Sequence, residues 1–296
     1  MYSKRKLTFF FLIYLSYYFL FSFEMIDIPE IVFYRPLKNG TKQEVTVSSF
    51  YMAKDDITME DWFSYLDESE QSSELFKERF FKDWWESDIY EIDNNWPVFG
   101  ISWLEAARFC NWLSEKYGYE TCYTFNKKEN GMDFVSWNKE ANGYRLPTLA
   151  EWEAVSEIYT GKITEDYLYK TNISIYIGSI WYRPLGNKCT ANSYGVINLI
   201  DDAGKFLWDY WNDEYENECL KILNPIGPNS FLKPDKSLYD YRINQYNFKI
   251  NELRVATKWC DINRIKLFVN HESIYEECET NDTSRSITIR LCRNKK

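Results

Sequence analysis

The sequence predicts an irregular α+β domain, on three observations. Three short helices are marked by capping sequences rather than by long periodic stretches. The strand-like runs are short and scattered among them. Loop-like segments separate these pieces, and no internal repeat is visible. Such a mixture argues against a sandwich and against a doubly wound sheet.

Val45–Met52 alternates and is rich in β-branched residues, so it predicts a strand. Thr58-Met59-Glu60-Asp61 is a capping box with Asp at the third helical position. Met59, Trp62, Phe63 and Leu66 follow it, which predicts a helix over 58–66. Residues 67–95 are charged and aromatic and read as an inserted helical excursion. Ser102-Trp103-Leu104-Glu105 opens a helix over 102–117, with Trp103, Ala106, Cys110, Leu113 and Tyr117 on one face. Thr148-Leu149-Ala150-Glu151, entered through Pro147, opens another over 148–160, with Trp152, Val155 and Tyr159 behind it. Residues 224–250 read as a surface loop, with Pro225, Gly227, Pro228 and Pro234 at its start. Ser286–Leu291 alternates and predicts a closing strand.

Composition restricts the function. Apolar residues make up 45% of the chain and aromatics 19%, which suits a packed core and not disorder. The net charge is −10, and beyond the N-terminus no Lys/Arg cluster offers a nucleic-acid face. The basic cluster Lys4-Arg5-Lys6 precedes a mostly apolar run to Phe23. Residues 1–23 therefore read as a signal peptide or a signal anchor, engaging the export machinery or the membrane, with residues 24–296 as one domain. Exported, periplasmic, secreted or envelope-associated placement is the expectation.

Seven Cys stand at 110, 122, 189, 219, 260, 278 and 292, and no C-x-x-C occurs. Export permits disulfides, but an odd count leaves at least one thiol unpaired or paired with another chain. The single His271 leaves little material for a two-His iron site or a Ser-His-Asp triad.

Two segments carry a family pattern. Trp96-Pro97-Val98-Phe99-Gly100-Ile101-Ser102-Trp103 with Ala106, Cys110, Asn111, Trp112 and Leu113 is the first. Asn142-Gly143-Tyr144-Arg145-Leu146-Pro147-Thr148-Leu149-Ala150-Glu151-Trp152-Glu153 is the second and the more specific. With Val45–Phe50 and Lys54–Thr58 they resemble, in order, the formylglycine-generating enzyme (sulfatase-modifying factor) family. That resemblance implies an irregular α+β, C-type-lectin-like fold. The C-terminal half keeps the order but loses the letters, at Asn192–Gly195, Asp201–Phe206, Arg254–Trp259 and Ile289–Cys292.

The resemblance also locates expected site residues. Family enzymes bind copper(I) through two Cys five residues apart. Cys260 matches the first, but Ile265 stands at the second and cannot ligate a metal, so copper is not expected. Cys260 is then a remnant catalytic residue or an inert thiol, and Thr257 preserves a hydroxyl where the family has Ser. At the family's calcium position Lys205 replaces Asn, and Asp209 takes the place of the following Glu. Asp201, Asp202 and Asp209 are read either as a degraded calcium site or as a solvated acidic face. The family pairing implies a disulfide between Cys110 and Cys292, although Leu291 intervenes and would turn Cys292 to the other face of its strand. Arg145, Pro147, Thr148, Glu151 and Trp152 read as structural, with Glu151 completing the capping box. The functional expectation is a non-catalytic binding or envelope-associated protein with a protein or glycan ligand and no nucleic-acid partner. The alternatives are an active copper oxidase acting on a sulfatase cysteine, or another thiol-based redox enzyme.

Overall fold

The structure is a computed structural model and describes residues 23–37, 40–83, 92–127, 133–157, 159, 175–177, 180–182, 191–199, 204–209, 220–227, 255–256 and 287–295. It is a mixed α+β fold of short helices, small sheets and many loops. The helices among the described residues are α1 (Met59–Glu68), α2 (Ser73–Asp83), α3 (Trp103–Lys116) and α4 (Leu149–Ser156). Helix α2 lies within the segment read as a helical insertion.

All three capping boxes form. Thr58, Ser102 and Thr148 each accept from the backbone N–H three residues on, and the side chain there accepts from the cap's own N–H. Helix α4 is shorter than the predicted 148–160. Glu157 turns into the left-handed region at φ 58 and ends it.

The Val45–Met52 run is two strands in two sheets. Strand β3 (Lys42–Val47) pairs antiparallel with β2 (Ile31–Pro36) and parallel with β11 (Lys221–Leu223). Strand β4 (Phe50–Ala53) pairs with β1 (Met25–Ile28) and with β14 (Cys292–Asn294). Strand β14 also pairs with β7 (Tyr144–Arg145), which gives the order β1-β4-β14-β7. The C-terminal strand is thus clamped between two earlier ones. Strand β10 (Gly204–Phe206) runs between β12 (Val255–Ala256) and β13 (Ile287–Thr288). Two hairpins, β5–β6 (Tyr123–Lys127, Asp133–Trp137) and β8–β9 (Ile175–Ile177, Ile180–Tyr182), complete the described strands.

Two apolar clusters form the core. One gathers α1 and α3 with Phe99, Phe206, Ile289 and Leu291. Its rings interlock: Trp62 lies 5.7 Å from Phe109, and Tyr65 meets Phe109 edge-on at 5.4 Å. The other places α4 against β2 and β3 through Trp152, Val155, Phe33, Val45 and Val47. Gly143 permits the approach of β7 to α3, since a Cβ there would lie 2.5 Å from Ser114 Oγ and 2.2 Å from the Glu120 carbonyl.

Candidate functional site

Helix α4 is the centre of the best-matched motif, and Ala150 through Ser156 are all buried. A helix enclosed in this way cannot leave its carboxylates to water, so each needs a cation. Glu151 meets Arg145 through two bonds, Nη1 to Oε2 at 2.7 Å and Nη2 to Oε1 at 2.6 Å. Glu151 Oε2 also accepts from the Thr148 N–H at 2.8 Å, which joins the ion pair to the capping box. Arg145 also donates to the Leu146 carbonyl and to Asn294 of β14, and its guanidinium lies 5.1 Å from the Trp137 ring centre. Burial disfavours the charged guanidinium, but the Glu151 charge and hydrogen bonds outweigh it and raise the Arg145 pKa. On another side of α4, Arg35 of β2 forks onto Glu153, which also accepts from the Tyr159 hydroxyl at 2.9 Å. These carboxylates hold the helix in place.

Asp209 closes the N-terminus of the same helix. Its Oδ2 accepts from the Leu149 N–H at 2.7 Å, and the Pro147 carbonyl accepts from the Trp208 N–H at 2.8 Å. Trp152 Nε1 donates to the Leu199 carbonyl at 3.3 Å. Gly227, at φ +73, packs against Asp209, where a Cβ would lie 2.8 Å from Oδ1. Burial above all, with Glu151 and Glu153 nearby, raises the Asp209 pKa from 3.8 to about 7, while the Leu149 bond and Arg35 oppose the rise.

A pH dependence follows. The native carboxyl holds its proton up to about 7, whereas the unfolded one releases it near 3.8. Between those values the native state binds more protons, so the contribution of Asp209 to stability is full below the lower value and is lost as pH rises through the upper one. Thermal unfolding of Asp209→Asn beside the parent chain from acid to neutral pH is expected to show the parent losing more stability, about 1.4 kcal/mol for each unit by which the native and unfolded pKa values differ. Parallel curves for the two proteins would contradict the assignment.

Lys205 does not turn toward Asp209. Its Nζ lies 2.9 Å from Asp56 Oδ2, with the Lys205 and Asp56 side chains 1% and 0% exposed. Arg290 approaches the same carboxylate, Nη2 to Oδ1 at 2.8 Å, as an ion pair by distance rather than an aligned hydrogen bond. Arg290 also donates from Nη1 to the Ala53 carbonyl at 3.0 Å and from Nη2 to the Ile197 carbonyl at 2.9 Å. Lys205, where the family resemblance implies a calcium-binding Asn, is thus engaged with a carboxylate from the segment before α1. An ammonium cannot ligate calcium, and Asp209 Oδ2 is engaged with the Leu149 N–H. Among the described residues no three His, Cys, Asp or Glu side chains converge to hold a metal. Asp201 and Asp202 lie outside the described residues.

Thr257 and Cys260 also lie outside the described residues, and β12 ends at Ala256, paired with Lys205. The strand leading to them is therefore the neighbour of the strand that carries the buried ammonium. Ile265, where the family resemblance implies the second thiol, has no metal-ligating group.

The expected bond between Cys110 and Cys292 is not made: both are free and buried, as is Cys122. The reason is strand alternation. Leu291 faces the cluster that contains Cys110, and Cys292, one residue on, faces the other cluster. Burial drives the Cys110 and Cys292 pKa values well above 9 and that of Cys122 to about 11. Such thiols are poor nucleophiles and poor soft-metal ligands.

Known proteins share this architecture. The family model for the sulfatase-modifying factor enzyme 1-like domain matches residues 23–258 and ends two residues before Cys260. The "Chaperone protein LppX" of Paenibacillus barcinonensis is 28% identical over 202 residues, 57% of this chain and 65% of that protein, so the match spans just under two thirds of the relative. Among solved structures, Treponema denticola variable protein 1 superposes with a TM-score of 0.54 at 18% identity, covering 92% of this chain and 95% of that one. The crystal structure of CarF does so with a TM-score of 0.51 at 15% identity, covering 93% and 99%. At those identities the two structures speak for the fold alone. By its family match across most of its length, and by the helix motif that the geometry explains, this chain belongs to the sulfatase-modifying factor enzyme 1-like family and has its C-type-lectin-like fold.

Proposed function

We propose that this protein is an exported, non-catalytic binding member of the family, associated with the cell envelope and directed to a protein or glycan ligand. The observation that carries the reading is the loss of the paired thiols. Ile265 stands five residues after Cys260, and the three described thiols are buried in apolar surroundings that hold them protonated. The ammonium of Lys205 at the matched calcium position supports the same reading. The name of the Paenibacillus relative, a chaperone, is that of a protein that binds other proteins, which favours a protein ligand. Residues 1–23, with Lys4-Arg5-Lys6 ahead of an apolar run, support export or membrane anchoring. The net charge of −10 disfavours nucleic acid.

The test is turnover. The full chain, supplied with copper(I), oxygen, reductant and a sulfatase-type cysteine peptide, is expected to form no formylglycine by mass spectrometry. Formation that disappears in Cys260→Ala would overturn the reading and restore the oxidase alternative.

A further inference from the structure

The segment from β13 to β14 has two faces. Ile289 and Leu291 belong to the first core cluster. Their carbonyls accept from the N–H groups of Ile57, at 3.1 Å, and Ala53, at 2.8 Å, so the backbone is extended across both. Alternation then puts Thr288 and Arg290 together on the opposite face. There Thr288 lies beside Lys205 in the parallel register of β10 and β13. Both Thr288 and Arg290 are 0% exposed.

Arg290 places its two terminal nitrogens on the Ala53 and Ile197 carbonyls and on Asp56, which fixes the plane of the guanidinium. Its Nε–H has no hydrogen-bond partner among the described protein atoms; neither does Thr288 Oγ1, nor Asp56 Oδ1, which lies 2.8 Å from Arg290 Nη2. A buried guanidinium N–H and a buried hydroxyl without protein partners, two residues apart on one face of an extended segment, call for a small polar partner.

We infer that Arg290 Nε and Thr288 Oγ1 hold one internal water molecule. Water suits both groups, since its oxygen accepts from the Nε–H and one of its hydrogens is donated to the threonine oxygen. It meets the usual need of an internal water for two or more polar partners. An anion fits less well, because Asp56 already lies 2.8 Å from the same guanidinium and 2.9 Å from Lys205 and would repel it. The water completes a polar seam from the Ala53 and Ile197 carbonyls, through Arg290, to the strand paired with β10.

A crystal structure of the full chain, grown with bromide as the halide, tests this. The expected result is a non-anomalous density peak within about 2.7–3.2 Å of both atoms. An anomalous peak there, or no peak, overturns the inference. In solution, oxygen-17 relaxation dispersion should count one fewer long-lived water in Thr288→Val than in the parent, with the count kept in Thr288→Ser. Equal counts in the parent and Thr288→Val overturn it too. If the valine variant does not fold, the bromide crystal of the parent decides alone.

Discussion

Replacing Asp56 with alanine is expected to lower stability by about 3–5 kcal/mol, the usual consequence of removing one partner from a buried ion cluster. Asp56 is the carboxylate that Lys205 and Arg290 share, and all three side chains are essentially free of solvent. Each cation gave up its hydration to be there. The attraction of Asp56 offsets part of that loss, and the substitution removes the attraction while both cations stay buried. Such a cluster need not be more stable than an apolar one of the same shape, but taking away its single described anion is costly. For a chain of this size the melting temperature should fall by roughly 6–20 °C in a calorimetric scan. A change below about 2 °C would show that the cations find other partners or reach water. Asp56→Asn should fall between the two, since it keeps the shape and loses the charge.

Glu151→Ala should cost a similar amount, about 3–5 kcal/mol, for two combined reasons. The substitution strands the Arg145 guanidinium, 2% exposed, without its carboxylate. It also removes the acceptor for the Thr148 N–H at the start of α4. Glu151→Gln separates the effects. Its amide oxygen still accepts from Thr148, so the cap survives and only the ion pair is lost. The expected order of stability in urea unfolding is parent, then Gln, then Ala. A Gln variant as unstable as Ala would place the whole effect in the charge, and a Gln variant equal to the parent would remove the ion pair from the account.

The parts of this fold legible in the sequence are those decided within a few residues. The three capping boxes need only a hydroxyl and an acid three residues apart, and all three form. What the sequence hid depends on distant segments. Val45–Met52 reads as one strand, yet β3 and β4 pair in different sheets. Asp56 is unremarkable in sequence because its cations, Lys205 and Arg290, are far along the chain. Asp209 has the chemistry of a calcium ligand, and its cap on Leu149 requires knowing that residues 60 apart meet. The thiols turn on a single residue of register, for which the intervening Leu291 was the available signal.

The central claim, that this member of the family has no two-thiolate copper centre, is tested most directly by copper(I) titration of the reduced full chain against a competing chelator, with thiols counted by alkylation at each point. The account predicts no tight equivalent of copper, with Cys110, Cys122 and Cys292 alkylating only after denaturation. One tightly bound copper per chain that protects Cys260 from alkylation and is lost in Cys260→Ala would contradict it.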